Sequence, residues 1–200
     1  MEKELLHNMD LAGRTQTLYN FIDEIKPSGI ERENYVLYFG RYSEEKGIRT
    51  LIKAAKALPK VQFVFAGSGD MEDEINSVEN IRNMGFKTGG ELREIIEKAA
   101  FTVLPSEWAE NCPFTVMESQ TLCTPVIGAN IGGIPELIGE GVTGMLFESG
   151  NAEELTKKIE YLYNNRELCR EMSENCASIS YDTVSDYAGK IVEIYKGLIK

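Results

Sequence analysis

Residues 35–66 read YVLYFGRYSEEKGIRTLIKAAKALPKVQFVFA, and this stretch decides the fold class. Two apolar runs, 35–39 and 61–66, are rich in β-branched and aromatic residues, as expected of strands that are buried on both faces. Between them, apolar residues recur at the spacing of one helix face, at Ile48, Leu51, Ile52, Ala55 and Leu58. Pro59 marks the end of this helix. The stretch therefore predicts a strand, a helix and a second strand, the unit from which parallel sheets are built.

The same alternation continues downstream of this unit. Apolar runs at 81–84, 101–104, 126–129 and 145–147 predict four more strands. Before the fourth strand, a second helical stripe consists of Leu92, Ile95, Ile96 and Ala99. Thr88 and Glu91 stand at the spacing of a capping box at the start of that helix. We therefore predict an α/β fold with a Rossmann-like, doubly wound parallel sheet of about six strands.

The two ends of the sequence do not share this alternation. Segments 153–164, 167–178 and 184–198 predict successive helices without intervening strands, which would cover a sheet edge or brace another domain. In the first thirty residues, the sequence does not alternate between strand and helix patterns. We therefore predict one domain over residues 31–200, preceded by a separate segment over residues 1–30.

Composition limits the classes of function. Hydrophobic residues make up 42% and charged residues 26% of the 200 residues, as in globular proteins. The net charge of −11 argues against a nucleic acid partner, because the protein would repel phosphate backbones. Cysteines at 112, 123, 169 and 176 fit no zinc or redox spacing, so we expect reduced structural thiols. The charged start of the chain, without an apolar run behind it, favours a cytoplasmic location.

The first candidate site follows the first strand, in residues 40–47. Ligands of open α/β sheets bind at this carboxyl edge of the strands. Gly40 and Gly47 allow close backbone approach, while Arg41 and Lys46 supply cations that suit phosphate oxygens. These cations could hold a diphosphate, or they could merely pair with Glu44, Glu45 or solvent. The pattern alone leaves both interpretations open.

The second candidate site, residues 105–118, runs from the end of a strand into a helix. Pro113 suits a first helical turn, which would leave the backbone N–H groups of Phe114 and Thr115 free to bind an anion. Glu110 would lie in the loop before the helix and Glu118 inside it, so each carboxylate could serve a different part of one ligand. Alternatively, Glu110 is a helix-dipole acid and Glu118 an ordinary exposed helical residue.

Residues 110–118 read ENCPFTVME, which resembles the E-x7-E motif of family-4 retaining glycosyltransferases of the GT-B fold. Other segments resemble that family in order and approximate spacing: 40–41 with 46–47, 65–69, 105–106, 125–127, 132–136 and 141–147. The resemblance covers roughly residues 18–198. Residues 18–23, LYNFID, are similar to the segment that joins the two domains of such enzymes. The joint match is much more specific than any one motif.

This resemblance implies a donor site for a nucleoside diphosphate sugar, with no cofactor and no metal. Arg41 and Lys46 would bind the diphosphate, Glu118 the ribose hydroxyls, and Glu110, as the catalytic residue, the transferred sugar. The family implies further substrate contacts from Gly40, Asn111, Cys112, Pro113, Phe114 and Thr115, with Met84, Gly85 and Phe86 lying against the base. Glu110 would position the sugar and stabilise charge, and need not act as a nucleophile.

The resemblance also implies that a second domain is required. Complete GT-B enzymes bind the donor mainly in the carboxyl-terminal domain and the acceptor in the amino-terminal one. We therefore expect residues 1–30 to be a remnant of the interdomain region and the chain to be inactive by itself, as a piece of a longer enzyme or a split gene product. Its partner would be an acceptor domain in cis or in trans, on which any membrane association would depend. Polysaccharide or lipid-linked glycan assembly is the expected process.

Two positions depart from the family pattern. Ser119 stands where the family usually has Glu-Ala after the second motif glutamate, and Cys123 stands where it usually has a glycine before the strand at 126–129. The cysteine is expected to strain the turn if that turn requires a positive φ angle.

Three other classes of protein share parts of this sequence pattern. A dinucleotide-dependent dehydrogenase would use Gly67-Ser68-Gly69 after a strand, but Glu72 occupies the place of the third glycine. A non-catalytic module that binds nucleotide sugars fits the same residues. A hydrolysing or epimerising enzyme of similar fold is less well supported by the spacing of Glu110 and Glu118.

Overall fold

The computed structural model describes residues 15–23 and 26–198. These residues divide into two compact units, one formed by 26–179 and the other by 15–23 together with 180–198. The division expected from the sequence, with a boundary after residue 30, stays a prediction. Residues 1–14 of its first segment lie outside the described part of the chain.

The larger unit contains a six-stranded sheet in which every neighbouring pair is parallel. Its strands are β1 (Tyr35–Arg41), β2 (Gln62–Ser68), β3 (Ile81–Asn83), β4 (Phe101–Leu104), β5 (Val126–Ala129) and β6 (Gly144–Phe147). The spatial order is β3-β2-β1-β4-β5-β6. This is the doubly wound order of the Rossmann fold, so the predicted fold class is confirmed. The chain reverses direction across the sheet between β1 and β4, the switch point at which such sheets bind ligands.

Helices connect and cover the strands. They are α1 (Ile48–Ala57), α2 (Glu72–Asn76), α3 (Gly89–Lys98), α4 (Phe114–Thr121), α5 (Ile134–Leu137), α6 (Ala152–Asn164), α7 (Arg166–Cys176) and α8 (Val184–Leu198), with a short 3-10 turn at Glu44–Lys46. The three successive helices predicted near the end of the chain are α6, α7 and α8. Of these, α6 packs against α1 and α7 packs against α6 and α4.

The predicted capping box at the start of α3 is wrong in one respect. Thr88 does occupy the N-cap position, but its side chain makes no capping hydrogen bond. Glu91 instead pairs with Lys87, whose Nζ lies 3.4 Å from its Oε1. An exposed ion pair has therefore replaced the reciprocal side-chain cap.

Alternation along β1 separates the core into two layers. Val36 and Tyr38 point to the side covered by α1 and α6, whereas Tyr35, Leu37 and Phe39 point to the side covered by α3. Both sets are buried, which explains why the strand reads as a continuous apolar run.

The partly buried guanidinium of Arg32 joins three segments of the chain. It donates to the backbone oxygens of Glu97, Ala99, Leu122 and Cys123 and to the hydroxyls of Thr124 and Ser173, at 2.7 to 3.4 Å. Several of these carbonyls belong to the carboxyl-terminal ends of α3 and α4, where a cation is favoured. Burial lowers the pKa of Arg32, yet the six acceptors replace the water that the charge has lost.

Cys123 has a φ of +58°, and it is the only non-glycine residue with a positive φ in the described part of the chain. The strain expected from the missing glycine is therefore present. Its carbonyl is one of the groups held by Arg32, at 2.7 Å, which helps to keep the turn in this conformation. None of the four cysteines, all of which lie in the described part of the chain, forms a disulfide bond.

The smaller unit is held by contacts between its two segments. The N–H of Ile22 donates to the carbonyl of Asp182 at 3.0 Å, and the rings of Phe21 and Tyr187 lie 5.0 Å apart.

Across the described residues, no helix combines the length and the apolar character needed to cross a membrane.

Replacing Cys123 by glycine is expected to increase the free energy of unfolding by about 0.5–1 kcal/mol, because glycine adopts a positive φ without steric strain. Cys123→Ala is the matched control, since alanine removes the thiol but keeps the Cβ atom and therefore the strain. Urea unfolding of the three proteins measures the difference. Equal stability of the glycine and alanine variants would contradict this explanation.

Candidate functional site

The first candidate segment begins with the last two residues of β1, and the second follows β4, so the two meet at the switch point of the sheet. Gly47, with a φ of +69°, lies directly against Pro105. A Cβ atom at Gly47 would stand 1.8 Å from the carbonyl oxygen of Pro105, which no structure tolerates. The N–H of Glu107 also donates to the carbonyl of Glu45 at 2.9 Å. The two loops are therefore in direct backbone contact.

This contact brings a cation and a carboxylate together. Lys46 Nζ lies 2.5 Å from Glu110 Oε1, and the same oxygen accepts a hydrogen bond from Ser106 Oγ at 3.0 Å. The side chains are only 30% and 17% exposed, so the pair is partly screened from water. Lys46 therefore pairs neither with Glu44 nor with Glu45, the partners left open by the sequence. The Glu44 carboxylate instead pairs with Arg49, at 2.5 Å.

Two glycines hold the backbone around Glu110 from the other side. The N–H of Gly133 donates to the carbonyl of Glu110 at 2.7 Å. Cβ atoms at Gly132 and Gly133 would stand 2.5 Å from the oxygen of Glu110 and 1.8 Å from that of Asn111. The Gly-Gly pair in segment 132–136 therefore allows the loop after β5 to touch the loop that carries Glu110.

Arg41 and Lys46 line one open depression together with Glu45 and Trp108. Its volume is about 560 Å³, which is enough for part of a nucleotide sugar. Gly40 precedes Arg41 and is paired in register with Gly67 of β2. A Cβ at Gly67 would meet the carbonyl oxygen of Gly40 at 1.9 Å. Gly67 of the Gly-Ser-Gly segment therefore serves the packing of β2 against β1.

The start of α4 lies just beyond Glu110. Pro113 occupies its N-cap position, one residue earlier than the first-turn position predicted. The first hydrogen bonds of the helix run from Val116 and Met117 to the carbonyl of Pro113, so the N–H groups of Phe114 and Thr115 precede this ladder, as an anion site requires. The preceding residues differ in exposure: Asn111 is exposed, whereas Cys112 and Pro113 are buried.

Glu118 lies inside α4 and is not an ordinary exposed helical glutamate. It is partly buried, and this burial raises the pKa of its carboxyl above the usual value, opposed by the charge of Arg93. A carboxylate that loses water without an equivalent partner is costly for the fold.

Residues 84–86 follow β3 and lie near the end of β2. Gly67 N–H donates to the carbonyl of Gly85 at 3.0 Å, while Met84 packs against the core layer covered by α3. The side chain of Phe86 is 71% exposed. Neither these residues nor Glu118 line the depression formed by Arg41 and Lys46. The structure thus brings together Arg41, Lys46 and, through its contact with Lys46, Glu110.

Two residues of the site were not assigned roles from the sequence. The single hydroxyl proton of Ser106 is shared between Glu110 Oε1, at 3.0 Å, and the carbonyl of Trp108, at 3.1 Å. Trp108, the only tryptophan of the chain, has 68% of its surface exposed to solvent. A tryptophan in a loop between a strand end and a helix is a signal that could have identified it.

Within the described ranges, no group of three or more His, Cys, Asp or Glu side chains is arranged to hold a metal ion.

Comparison with protein families identifies the class of this chain. The family model described as "Glycosyl transferases group 1" matches residues 20–178, which include both loops of the site and all six strands. The chain belongs to the glycosyl transferases group 1 family. The resemblance seen in the sequence is thereby confirmed at the level of this family.

The curated relatives of this chain include glycosyltransferases. An uncharacterized glycosyltransferase of Methanocaldococcus jannaschii is 29% identical over 83% of the chain and 48% of the relative. The alpha-D-kanosaminyltransferase of Streptomyces kanamyceticus is 28% identical over 76% of the chain and 42% of the relative. The chain thus spans about half the length of the curated relatives it matches.

Solved structures confirm the Rossmann-like fold of the chain. A sucrose-phosphate synthase from Thermosynechococcus elongatus superposes with a TM-score of 0.85 at 20% identity, over 99% of the chain and 56% of the other protein. TarM of S. aureus, solved in a complex that includes UDP, gives a TM-score of 0.82 at 22% identity, over 96% and 41% respectively.

In this group 1 domain, Gly47→Ala is expected to lower the free energy of unfolding by more than 2 kcal/mol, because the added methyl group would collide with Pro105. Gly141→Ala is the control, since Gly141 has a similar φ of +74° but no atom within 4 Å of the added Cβ. It should cost about 1 kcal/mol, the strain of the backbone alone. Equal losses in the two variants, measured by urea unfolding, would show that the two loops do not constrain each other.

Proposed function

We propose that this chain is the donor-binding part of a retaining glycosyltransferase and that it holds a nucleoside diphosphate sugar at the switch point of its sheet. The observation that carries the proposal is the contact between Lys46 and Glu110, 64 residues apart, beside Arg41. A diphosphate needs two cations, and a sugar needs a carboxylate that accepts from its hydroxyls. The two cations line one depression, and the Glu110 carboxylate is in contact with one of them, Lys46.

The comparisons suggest which ligand to test first. HepE of Anabaena, which superposes with TM-scores of 0.73 to 0.80, has been solved with UDP, with UDP and glucose, and with UDP-glucose. TarM has also been solved with UDP. These ligands are those of the other proteins, and they make UDP and UDP-glucose reasonable first probes for this chain.

In the proposed complex, Arg41 and Lys46 bind the diphosphate and neutralise the charge that develops on it as the glycosyl bond breaks. The free N–H groups of Phe114 and Thr115 add the positive end of α4 to the same task. Glu110 accepts from hydroxyls of the transferred sugar. No step in this scheme requires Glu110 to form a covalent bond.

The remaining roles follow the E-x7-E resemblance. Glu118 binds the ribose hydroxyls from its half-buried position in α4. The loop of Met84, Gly85 and Phe86 lies against the base, with the exposed ring of Phe86 available for stacking. Gly40, Asn111, Cys112 and Pro113 provide backbone contacts around the sugar and phosphates.

The ion pair between Lys46 and Glu110 gives the ligand-free site a defined resting state. Binding of the donor would exchange partners: Lys46 would move from the carboxylate to a phosphate oxygen, and Glu110 would turn to the sugar. UDP without a sugar replaces the partner of Lys46 but not that of Glu110. It offers a phosphate to Lys46, whereas Glu110 loses its cation and gains no sugar hydroxyl.

Lys46→Ala is therefore expected to weaken UDP binding about ten-fold or more, the effect of a lost charge-assisted contact. Glu110→Gln is expected to strengthen UDP binding several-fold, because it releases Lys46 and removes a negative charge from beside the diphosphate. Isothermal titration calorimetry with UDP measures both effects. Lys53→Ala, which removes an exposed lysine from α1, is the control and should have no effect.

Unchanged affinity in Lys46→Ala would remove the diphosphate assignment. Weaker UDP binding in Glu110→Gln would show that Glu110 supports the site in some way other than competing for Lys46.

Glu118→Gln is expected to weaken UDP binding about ten-fold while making the protein more stable at neutral pH. The folded-state pKa of Glu118 is raised, so its ionised form opposes folding, and this penalty grows as the pH rises through the interval between the unfolded and folded pKa values. The variant should therefore gain stability above that interval and little below it. Thermal unfolding at several pH values and calorimetry test the two effects. Unchanged UDP affinity would contradict the ribose assignment, and lower stability at neutral pH would contradict the cost assigned to the buried carboxylate.

Transfer itself is proposed to need an acceptor-binding half, because the relatives are about twice as long as this chain. We expect the isolated chain to bind donor without transferring sugar. Supplying a separately expressed amino-terminal half from the same genome should restore transfer from UDP- or GDP-sugars. Binding that never leads to transfer with any such half would favour a non-catalytic module, the second function that the same site supports.

A further inference from the structure

We infer that Trp108 is the platform on which the sugar ring of the donor packs, so that it determines how strongly the site distinguishes a nucleotide sugar from the bare nucleotide. This inference rests on the proposed function, since it concerns the same depression. Its evidence is the fixed, exposed position of the only tryptophan in the chain beside the two proposed phosphate-binding cations.

The backbone of Trp108 is held on both sides. Its carbonyl accepts from Ser106 Oγ at 3.1 Å, and the N–H of Glu107 donates to Glu45 at 2.9 Å. Thr50 on α1 donates to the Glu107 carboxylate at 2.6 Å, and Ser149 donates to the carbonyl of Ser106 at 3.0 Å. A loop secured by this many bonds presents its side chain in a defined place. Nevertheless, 68% of that side chain faces water.

The surroundings of the indole suit an amphipathic ligand. Arg41 and Lys46 line the same depression and would take the charged diphosphate. A pyranose ring attached to that diphosphate has hydroxyls around its rim and apolar C–H groups on its faces. The hydroxyls require polar partners, whereas a C–H face gains by covering an aromatic surface that is otherwise exposed to water. Trp108 provides such a surface next to the cations.

The sugar fits this place better than the base does. Ser106 Oγ bridges the Trp108 carbonyl and Glu110 Oε1, which fixes the tryptophan relative to the carboxylate proposed to meet the sugar. The base is assigned to the loop at 84–86, which follows β3, two strands away from β1 in the sheet. Trp108 and Glu110 would therefore contact the same ring, one on a face and one at its rim.

The test compares nucleotide with nucleotide sugar in the 200-residue chain. Calorimetry with UDP, UDP-glucose, UDP-N-acetylglucosamine, GDP and GDP-mannose gives the affinity of each sugar nucleotide relative to its bare nucleotide. Trp108→Ala should lower that relative affinity by roughly three- to ten-fold while leaving the affinity for the bare nucleotide unchanged. Trp108→Phe should retain most of it. Tyr161→Ala, which removes an exposed aromatic ring from α6, is the matched control.

Trp108 also reports on its own environment, because all tryptophan fluorescence of the chain comes from this residue. Its emission should shift to shorter wavelength with the sugar nucleotide and change less with the bare nucleotide. If nucleotides bind but the relative affinity is the same in Trp108→Ala, or if both ligands change the emission equally, the inference is wrong while the proposed function stands. If none of the five probes binds, the proposed function fails and this inference fails with it.

Discussion

The carbonyl oxygen of Pro105 and the α-carbon of Gly47 are so close that no side-chain atom fits between them. This steric limit joins the loop after β1 to the loop after β4, the two strands that meet where the sheet reverses its order. Lys46 and Glu110 can form a 2.5 Å contact only because the two loops that carry them are already held against each other. The glycines at 132 and 133 impose the same limit from the opposite side. The chemistry of the site therefore depends on positions that carry no functional group.

The sheet could be predicted from the sequence because its strands are buried on both faces and read as uninterrupted apolar runs. The helix α1 could be predicted because Ile48, Leu51, Ile52, Ala55 and Leu58 form one stripe. Local details were less predictable. Thr88 stands at the N-cap as predicted, but the pairing of Glu91 with Lys87 depends on side-chain geometry that spacing does not determine. The same holds for Pro113, which differs by one position from the prediction.

The site could be predicted only in part. Spacing alone left Lys46 free to pair with its neighbours Glu44 and Glu45, and the resemblance to a known family was needed to connect it with segment 110–118. No pattern indicated the partial burial of Glu118, since burial is decided by residues that are distant in sequence. The strain at Cys123 was foreseen because a glycine is usual there. The hydrogen bond from Arg32 to this turn was not foreseen, because the six acceptors of that guanidinium come from three separate segments of the chain.

The pairing of Lys46 with Glu110 also affects which ions the empty site attracts. A lysine that already has a carboxylate as its counter-ion presents little net positive potential, in a protein whose charge is −11. Orthophosphate and other small anions of the cell would have to displace that carboxylate and would offer it nothing in return. Under the proposed roles, only a molecule that carries a sugar on its diphosphate satisfies both members of the pair. The ion pair would then act as a filter against abundant anions that share only the phosphate of the donor.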